Sequence, residues 1–107
     1  MGNYKIVYVT VPSFETGRNI AAKILEQHLC ACVNIMPAVE SIYVWQGKVE
    51  KSSELLLMIK TTASLIEDLK STVLSLHPYE VAEFIVLDIA DGSAPYLNWV
   101  KESVKNK

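Results

Sequence analysis

The sequence is poor in the residues that several classes of protein require. Its 107 residues include only two cysteines and four glycines, and the glycines stand in separate segments. Two cysteines do not make the multiple-disulfide framework of a small secreted domain, and scattered glycines do not make a phosphate-binding loop. A disulfide-rich domain and phosphate binding by a glycine-rich loop are therefore both excluded.

Charge and hydropathy exclude two more classes. Ten basic and twelve acidic side chains give a net charge of -2, whereas a nucleic-acid-binding face needs clustered positive charge. The longest apolar run, Leu55–Ile59, is much too short to span a bilayer. The first residues lack a secretory-signal pattern, and two cysteines fit a reducing compartment. We expect a cytoplasmic protein that binds neither nucleic acid nor membrane.

Signs of catalysis are also scarce. The chain has no G-x-S-x-G motif, no cysteine in a recognisable catalytic setting and no carboxylate pair at a telling spacing. We therefore do not expect an enzyme. One enzymatic alternative stays open, in which His77 and Glu80 act as acid and base.

Hydrophobic periodicity predicts alternating strands and helices in one domain spanning residues 1–107. Ser13 is suited to cap the first helix, Pro78 to end the second, and Ser93 with Pro95 to open a short third one. The predicted elements are strand Lys5–Val11, a helix after Ser13 with Ile20, Ile24 and Leu25 on its apolar stripe, strands Cys32–Met36, Val39–Trp45 and Val49–Lys60, helix Thr62–Leu76 and strand Glu83–Ile89. This order predicts an α+β, ferredoxin-like βαββαβ fold with an extra C-terminal helix and a long hairpin between the second and third strands.

The hairpin is long for so small a chain. Residues Cys32–Trp45 would extend roughly 45 Å if unbroken, whereas a globule of this size has a diameter of roughly 34 Å. Either the strand bends at Pro37 and Ala38, or the hairpin overhangs its own domain. Its tip, Ile42–Trp45 facing Val49, is apolar, so we expect it to pack on another subunit.

The segment His77–Glu80, with the sequence HPYE, is the first candidate for chemistry. A histidine beside a tyrosine and a glutamate can ligate a metal ion or carry a proton. Alternatively, His77 caps the last carbonyls of its helix, and His28 occupies the same place on the first helix.

Cys30 and Cys32 are the second candidate, because two thiolates at this spacing suit a soft metal such as copper. The alternative is that Cys32 is a small buried apolar residue. Lys48, Lys51 and Lys60 flank the hairpin, either as an anion site or as charges that prevent edge pairing.

Several blocks of the sequence resemble one known family. Residues 31–35 (ACVNI), 41–48 (SIYVWQGK), 57–61 (LMIKT), 77–81 (HPYEV) and 96–99 (YLNW) are similar, in this order, to the CutA family of divalent-cation tolerance proteins. The resemblance implies a ferredoxin-like subunit in a homotrimer, similar in architecture to PII signalling proteins, with long hairpins exchanged between subunits. It also implies tolerance of copper and other divalent ions, and no catalytic activity.

Two departures from the family pattern bear on the metal. The copper motif of bacterial members combines a first-strand cysteine with two histidines before Pro-Tyr. The matching positions here are Val9, Leu76 and His77, so only His77 carries over. Ala82 stands where the family usually has proline.

The leading hypothesis is a homotrimer with weak metal binding in clefts between subunits. No cofactor is required, and the bound ion is copper or another divalent metal. The proposed metal ligands are His77 and Cys32, the cleft is lined by Trp45, Lys60, Tyr79, Glu80 and Glu83, and the trimer interface contains Tyr43, Val44, Trp45 and Trp99. The alternative function is a PII-like signalling or adaptor trimer that binds a small anionic ligand or a partner protein.

Overall fold

The computed structural model describes residues 3–106. Within this range the elements are β1 (Tyr4–Val11), α1 (Phe14–Glu26), β2 (Cys32–Trp45), β3 (Lys48–Thr62), α2 (Ile66–Leu76), β4 (Ile85–Asp88) and α3 (Ala94–Ser103). The strands form one sheet in the order β2-β3-β1-β4, and each neighbouring pair is antiparallel. This is the ferredoxin-like arrangement, so the predicted fold class is confirmed.

Helix α1 begins as its sequence predicts. The Ser13 hydroxyl accepts a hydrogen bond from the backbone N–H of Thr16 at 3.1 Å, which satisfies one free donor of the first turn. Ile20 and Ile24 are fully buried. Leu25 was expected on the same apolar stripe but is 38% exposed. The buried face of α1 is narrower than that stripe and consists of Gly17, Ile20 and Ile24.

The sheet has one buried and one open face. Side chains alternate between the two faces along a strand, and residues paired directly across strands share a face. Val7 pairs with Ile59 and both are fully buried in the core beneath α1 and α2. The residues next to Val7 and Ile59 along their strands point to the opposite face of the sheet, which is largely apolar and only partly covered. Among its members, Met36, Ile85 and Leu87 are each at least 40% exposed.

The β2–β3 hairpin both bends and overhangs. A bulge interrupts the pairing between Met36 and Val39, and Ala38 in it has a φ of +65°. The described residues still extend 44 Å along their longest axis, against 26 and 22 Å along the others. At the tip Val44 and Val49 are each 72% exposed.

Strand β4 and helix α2 were predicted too long. Strand β4 covers Ile85–Asp88 rather than Glu83–Ile89, and its pairing with β1 ends where Tyr8 pairs with Ile85. The next outward carbonyl of β1, that of Thr10, is bonded by a side chain instead. Helix α2 begins only at Ile66, after a 3₁₀ turn at Ala63–Leu65, because Thr62 still belongs to β3. No helix within residues 3–106 is long and apolar enough to cross a membrane.

Candidate functional site

A cavity of about 640 Å³ lies between the outer half of the hairpin and the segment that follows α2. Register places the wall residues from β2 on one face, since Val39 pairs with Glu54 and Tyr43 with Glu50. Side chains two residues apart along each strand therefore point to the same side as Glu54. The residues that line this acidic cavity include Ser41, Tyr43, Trp45, Glu54, Tyr79, Glu80 and Glu83.

His77 holds the segment after α2 against the sheet. Its Nε2 lies 2.7 Å from the carbonyl oxygen of Thr10, and its Nδ1 accepts a hydrogen bond from the backbone N–H of Tyr79 at 3.1 Å. Because a carbonyl can only accept, Nε2 carries the proton. The imidazole thus contacts β1 rather than the last carbonyls of α2, and the helix-capping interpretation was wrong.

The use of both ring nitrogens matters for metal binding. A metal ion binds an imidazole through an unprotonated nitrogen. In this arrangement the Nδ1 lone pair already accepts from Tyr79, so an ion at His77 would have to displace that bond. Among residues 3–106 no group of three or more His, Cys, Asp or Glu side chains is placed to hold a metal ion.

Glu54 is the most enclosed charged group of the acidic cavity. Its residue is only 7% exposed, and its Oε2 accepts a hydrogen bond from the Tyr79 hydroxyl at 2.7 Å. None of the ion pairs between described residues includes Glu54. A buried carboxylate is usually paired with a cation, so Glu54 leaves an uncompensated negative charge beside the cavity.

This charge changes the acidity of its neighbours. Partial burial, and secondarily the charge of Glu54, raise the pKa of Glu83 above its ordinary value of 4.5. Partial burial, together with the hydrogen bond to Glu54, also raises the pKa of the Tyr79 phenol. Both shifts have the direction expected where negative charge is already present.

Cys32 and Lys60 lie elsewhere in the protomer. They pair directly across β2 and β3, six positions along β3 from Glu54, which corresponds to about 20 Å. Burial of the Tyr96 phenol, and secondarily the Cys32 thiol, raise the pKa of Tyr96, which puts Cys32 near the first turn of α3. Within one protomer, therefore, the two predicted metal ligands and the predicted cleft residues do not form a single site.

The two cysteines differ in environment. Cys30 is buried, and burial raises its pKa to about 12, so it stays a thiol at neutral pH. Cys32 is only partly buried, so the interpretation of Cys32 as a fully buried small residue was wrong.

The residues predicted at a trimer interface are all exposed in the protomer. Tyr43 is 43% exposed, Val44 72%, Trp45 39% and Trp99 44%. Trp99 lies on α3 and packs against Tyr96, with ring centroids 5.6 Å apart. These side chains are free to contact another copy.

Sequence reasoning did not single out Glu54, because it lies 26 positions before Glu80 and shares no motif with Glu80 or Glu83. The available signal was the hairpin register, since pairing counted from the turn puts Glu54 opposite Val39, on the face of Tyr43 and Trp45. The sequence alone does not supply the position of the segment after α2, which brings Tyr79 to Glu54.

Together these features define an α+β protein of the ferredoxin-like type, with an overhanging hairpin and an acidic, aromatic-walled cavity along its outer half. A family model described as CutA1 divalent ion tolerance protein matches residues 5–103. The chain belongs to this CutA1 family.

Individual relatives agree with this assignment. The chain is 48% identical over 99 residues to the divalent-cation tolerance protein CutA of Thermus thermophilus, covering 92% of this chain and 96% of that protein. It is 50% identical over 101 residues to the chloroplastic protein CutA of Arabidopsis thaliana, covering 94% of this chain but 56% of that protein. The chain thus spans between 56% and 61% of the length of several curated relatives from plants and mammals.

Solved structures show the same fold. The crystal structure of CutA1 from Oryza sativa superposes with a TM-score of 0.95 at 45% identity, covering 98% of this chain and 96% of that one. A structure described as the periplasmic divalent cation tolerance protein CutA of Archaeoglobus fulgidus gives a TM-score of 0.92 at 32% identity, covering 95% and 99%. The names of the Thermus and Archaeoglobus proteins describe divalent-cation tolerance, and none of these four names states a reaction.

Proposed function

We propose that this protein is a non-enzymatic homotrimer that takes part in tolerance of divalent metal ions by binding an ion weakly in clefts between subunits. The observation that carries the metal part of the proposal is Glu54, a buried carboxylate whose charge no ion pair between described residues compensates. Cation binding removes the cost of that charge. The proposal includes copper as the first ion to test and a cytoplasmic location, although relatives are named as chloroplastic and periplasmic.

Two apolar surfaces support the homotrimer. The open sheet face exposes Met36, Ile85 and Leu87, and the hairpin tip exposes Val44 and Val49. Both surfaces are apolar and lie on one chain, so identical copies can cover them symmetrically. A cleft between subunits would also supply ligands that a single protomer lacks, since residues 3–106 contain no group of three potential ligands.

The acidic cavity does not favour the alternative of an anionic ligand. Glu54, Glu80 and Glu83 line it, and no described lining residue is a lysine or arginine. An anion placed there would meet like charge in a partly desolvated site.

Titration calorimetry with Cu²⁺ and Mn²⁺ tests the metal proposal, and sedimentation equilibrium in the same buffer tests the trimer. We expect weak binding of at least one ion by the wild type and weaker binding by Glu54→Gln, which keeps the side-chain shape. Cys32→Ser and His77→Gln test the two ligands that the family resemblance implies.

The outcomes separate these parts. A loss of binding in Cys32→Ser or His77→Gln alone would move the ion away from Glu54 and towards the predicted ligands. An absence of binding for both ions would remove the metal proposal, and a native monomer at micromolar concentration would remove the trimer.

A further inference from the structure

The charge of the acidic cavity selects for cations of any kind. Glu54 is 7% exposed, and only one of its two oxygens accepts a hydrogen bond, from Tyr79. The other oxygen has no donor among the described residues. Glu80 and Glu83 add negative charge to the same wall. A ligand for this cavity must therefore bring positive charge to Glu54.

The residues that line the cavity favour a ligand larger than a bare metal ion. The described residues do not assemble three metal ligands around it, and its volume of about 640 Å³ lies in the range of sites for small organic molecules. Tyr43, Trp45 and Tyr79 each remain at least 36% exposed along it. Aromatic faces attract a cation by their quadrupole and also bury the carbon chain that carries the cation.

We infer that the acidic cavity binds an aliphatic amine, with an ammonium group on the free oxygen of Glu54 and the carbon chain along Tyr43 and Tyr79. An ammonium group has three donors and needs no fixed set of metal ligands. A second ammonium group at the far end of the chain would approach Glu80 or Glu83. The preferred ligand class is therefore a short diamine. The inference deepens the proposed function, since it names a ligand class for the same cavity, but it does not depend on the metal.

The probe is 1,4-diaminobutane, titrated into the full chain by calorimetry at about physiological ionic strength, where long-range screening is strong. Two matched ligands separate the contributions: 1,4-butanediol keeps the length without charge, and Mg²⁺ keeps the charge without a carbon chain. We expect the diamine to bind at least about tenfold more tightly than either, because it alone combines a charge-assisted hydrogen bond with apolar contact.

Variants then locate the site. Glu54→Gln should weaken diamine binding at least about tenfold, since a charge-assisted bond becomes a neutral one. Tyr79→Phe keeps the ring and removes only the hydroxyl, so it should bind the diamine at least as well as the wild type. Tyr43→Ala removes a ring against which the carbon chain packs, so it should weaken binding of the diamine.

Circular dichroism and sedimentation of each variant establish that it is folded and assembled like the wild type. Equal affinity for diamine and diol, or unchanged diamine affinity in a folded Glu54→Gln, would overturn the inference. Failure of the metal proposal is distinguishable from this result. Binding of Cu²⁺ or Mn²⁺ without diamine binding overturns only the inference, and diamine binding without binding of either ion overturns only the metal proposal.

Discussion

At the scale of single residues, the acidic cavity links stability to pH through Glu83. Partial burial and the charge of Glu54 raise the pKa of Glu83 above 4.5 in the folded chain. A carboxyl group with a raised folded-state pKa binds its proton more tightly in the folded state than in the unfolded state. Its ionisation therefore costs stability as pH rises from the unfolded pKa to the folded pKa, and below about pH 4 both states are protonated.

We therefore expect Glu83→Gln to melt at a higher temperature than the wild type at pH 7 and at the same temperature near pH 4. The difference should grow above pH 4.5 and become constant once Glu83 is ionised in the folded state. Thermal unfolding across this pH range measures it. Glu80→Gln is the matched control, because Glu80 lines the same cavity but is exposed. An equal response of both variants would contradict the cause assigned to Glu83.

His77 has a structural role that can be measured separately from metal binding. Its ring bonds the Thr10 carbonyl and the Tyr79 backbone N–H. We expect His77→Ala to lower the free energy of unfolding by about 1–3 kcal/mol, because it leaves a partly buried carbonyl without its donor. Urea denaturation at matched protein concentration measures this. His28→Asn is the control, since asparagine tolerates the φ of +56° found at His28. A loss below about 0.5 kcal/mol in His77→Ala would contradict the bridging role.

The residue scale also shows what sequence could predict about the site. The segment His77–Glu80 was identified as unusual, and the structure does put Tyr79 and Glu80 on the cavity wall. The hydrogen-bond partners of His77 could not be predicted, because Thr10 is 67 positions away along the chain. Periodicity reports which face a side chain occupies, but it does not report which distant backbone group that face meets.

At the scale of elements, the long hairpin depends on three backbone positions with positive φ. Gln46 and Gly47 form the turn with φ of +51° and +81°, and Ala38 lies in the bulge with +65°. Positive φ at both central residues fits the type I′ hairpin turn, whose second position favours glycine. The hairpin was predicted, with one strand ending at Trp45 and the next beginning at Val49. The conformation of Ala38 was not, because alanine carries no sequence signal for it.

Paired substitutions at Gly47 and Ala38 test this account. Gly47→Ala should lower the free energy of unfolding by about 1 kcal/mol, because a side chain at positive φ is strained although the space around Gly47 is open. Ala38→Gly relieves the same strain at the bulge and should leave stability unchanged or higher. Chemical denaturation of both variants beside the wild type measures the difference. A destabilised Ala38→Gly, or an unaffected Gly47→Ala, would contradict the strain argument.

Element identities were predictable here, whereas two boundaries were not. Capping by Ser13 and termination by Pro78 depend on local chemistry, and both helix ends lie near those residues. The start of β4 depends instead on how far β1 can pair, which His77 limits through its bond to Thr10. Tertiary pairing therefore determines the bounds of β4, the strand that was predicted too long.

At the scale of the whole molecule, the protomer is elongated because the hairpin continues beyond the helices. Strand length left two alternatives, a bend at Pro37 and Ala38 or an overhang, and the 44 Å extent shows that the hairpin overhangs. Many of the exposed apolar residues lie on the hairpin and on the open sheet face, and α1 with α2 cover the other face. A single chain shows that these surfaces need to be covered. The number of copies that cover them is a property of the assembly and has to be measured in solution.

Val44→Glu tests whether the hairpin tip is covered by another subunit. Val44 is 72% exposed in the protomer, so a glutamate there should barely affect folding of a lone chain. In a homotrimer with the tip at an interface, it would bury a charge without a partner at every copy, and removing such a charge from water costs several kcal/mol. We therefore expect Val44→Glu to dissociate the trimer at micromolar concentration, as measured by sedimentation equilibrium. Leu74→Glu makes the same charge change at another exposed apolar side chain, on α2, and should leave the trimer intact. If both variants sediment like the wild type, the hairpin tip is not an interface, and the clefts proposed beside it lose their second subunit.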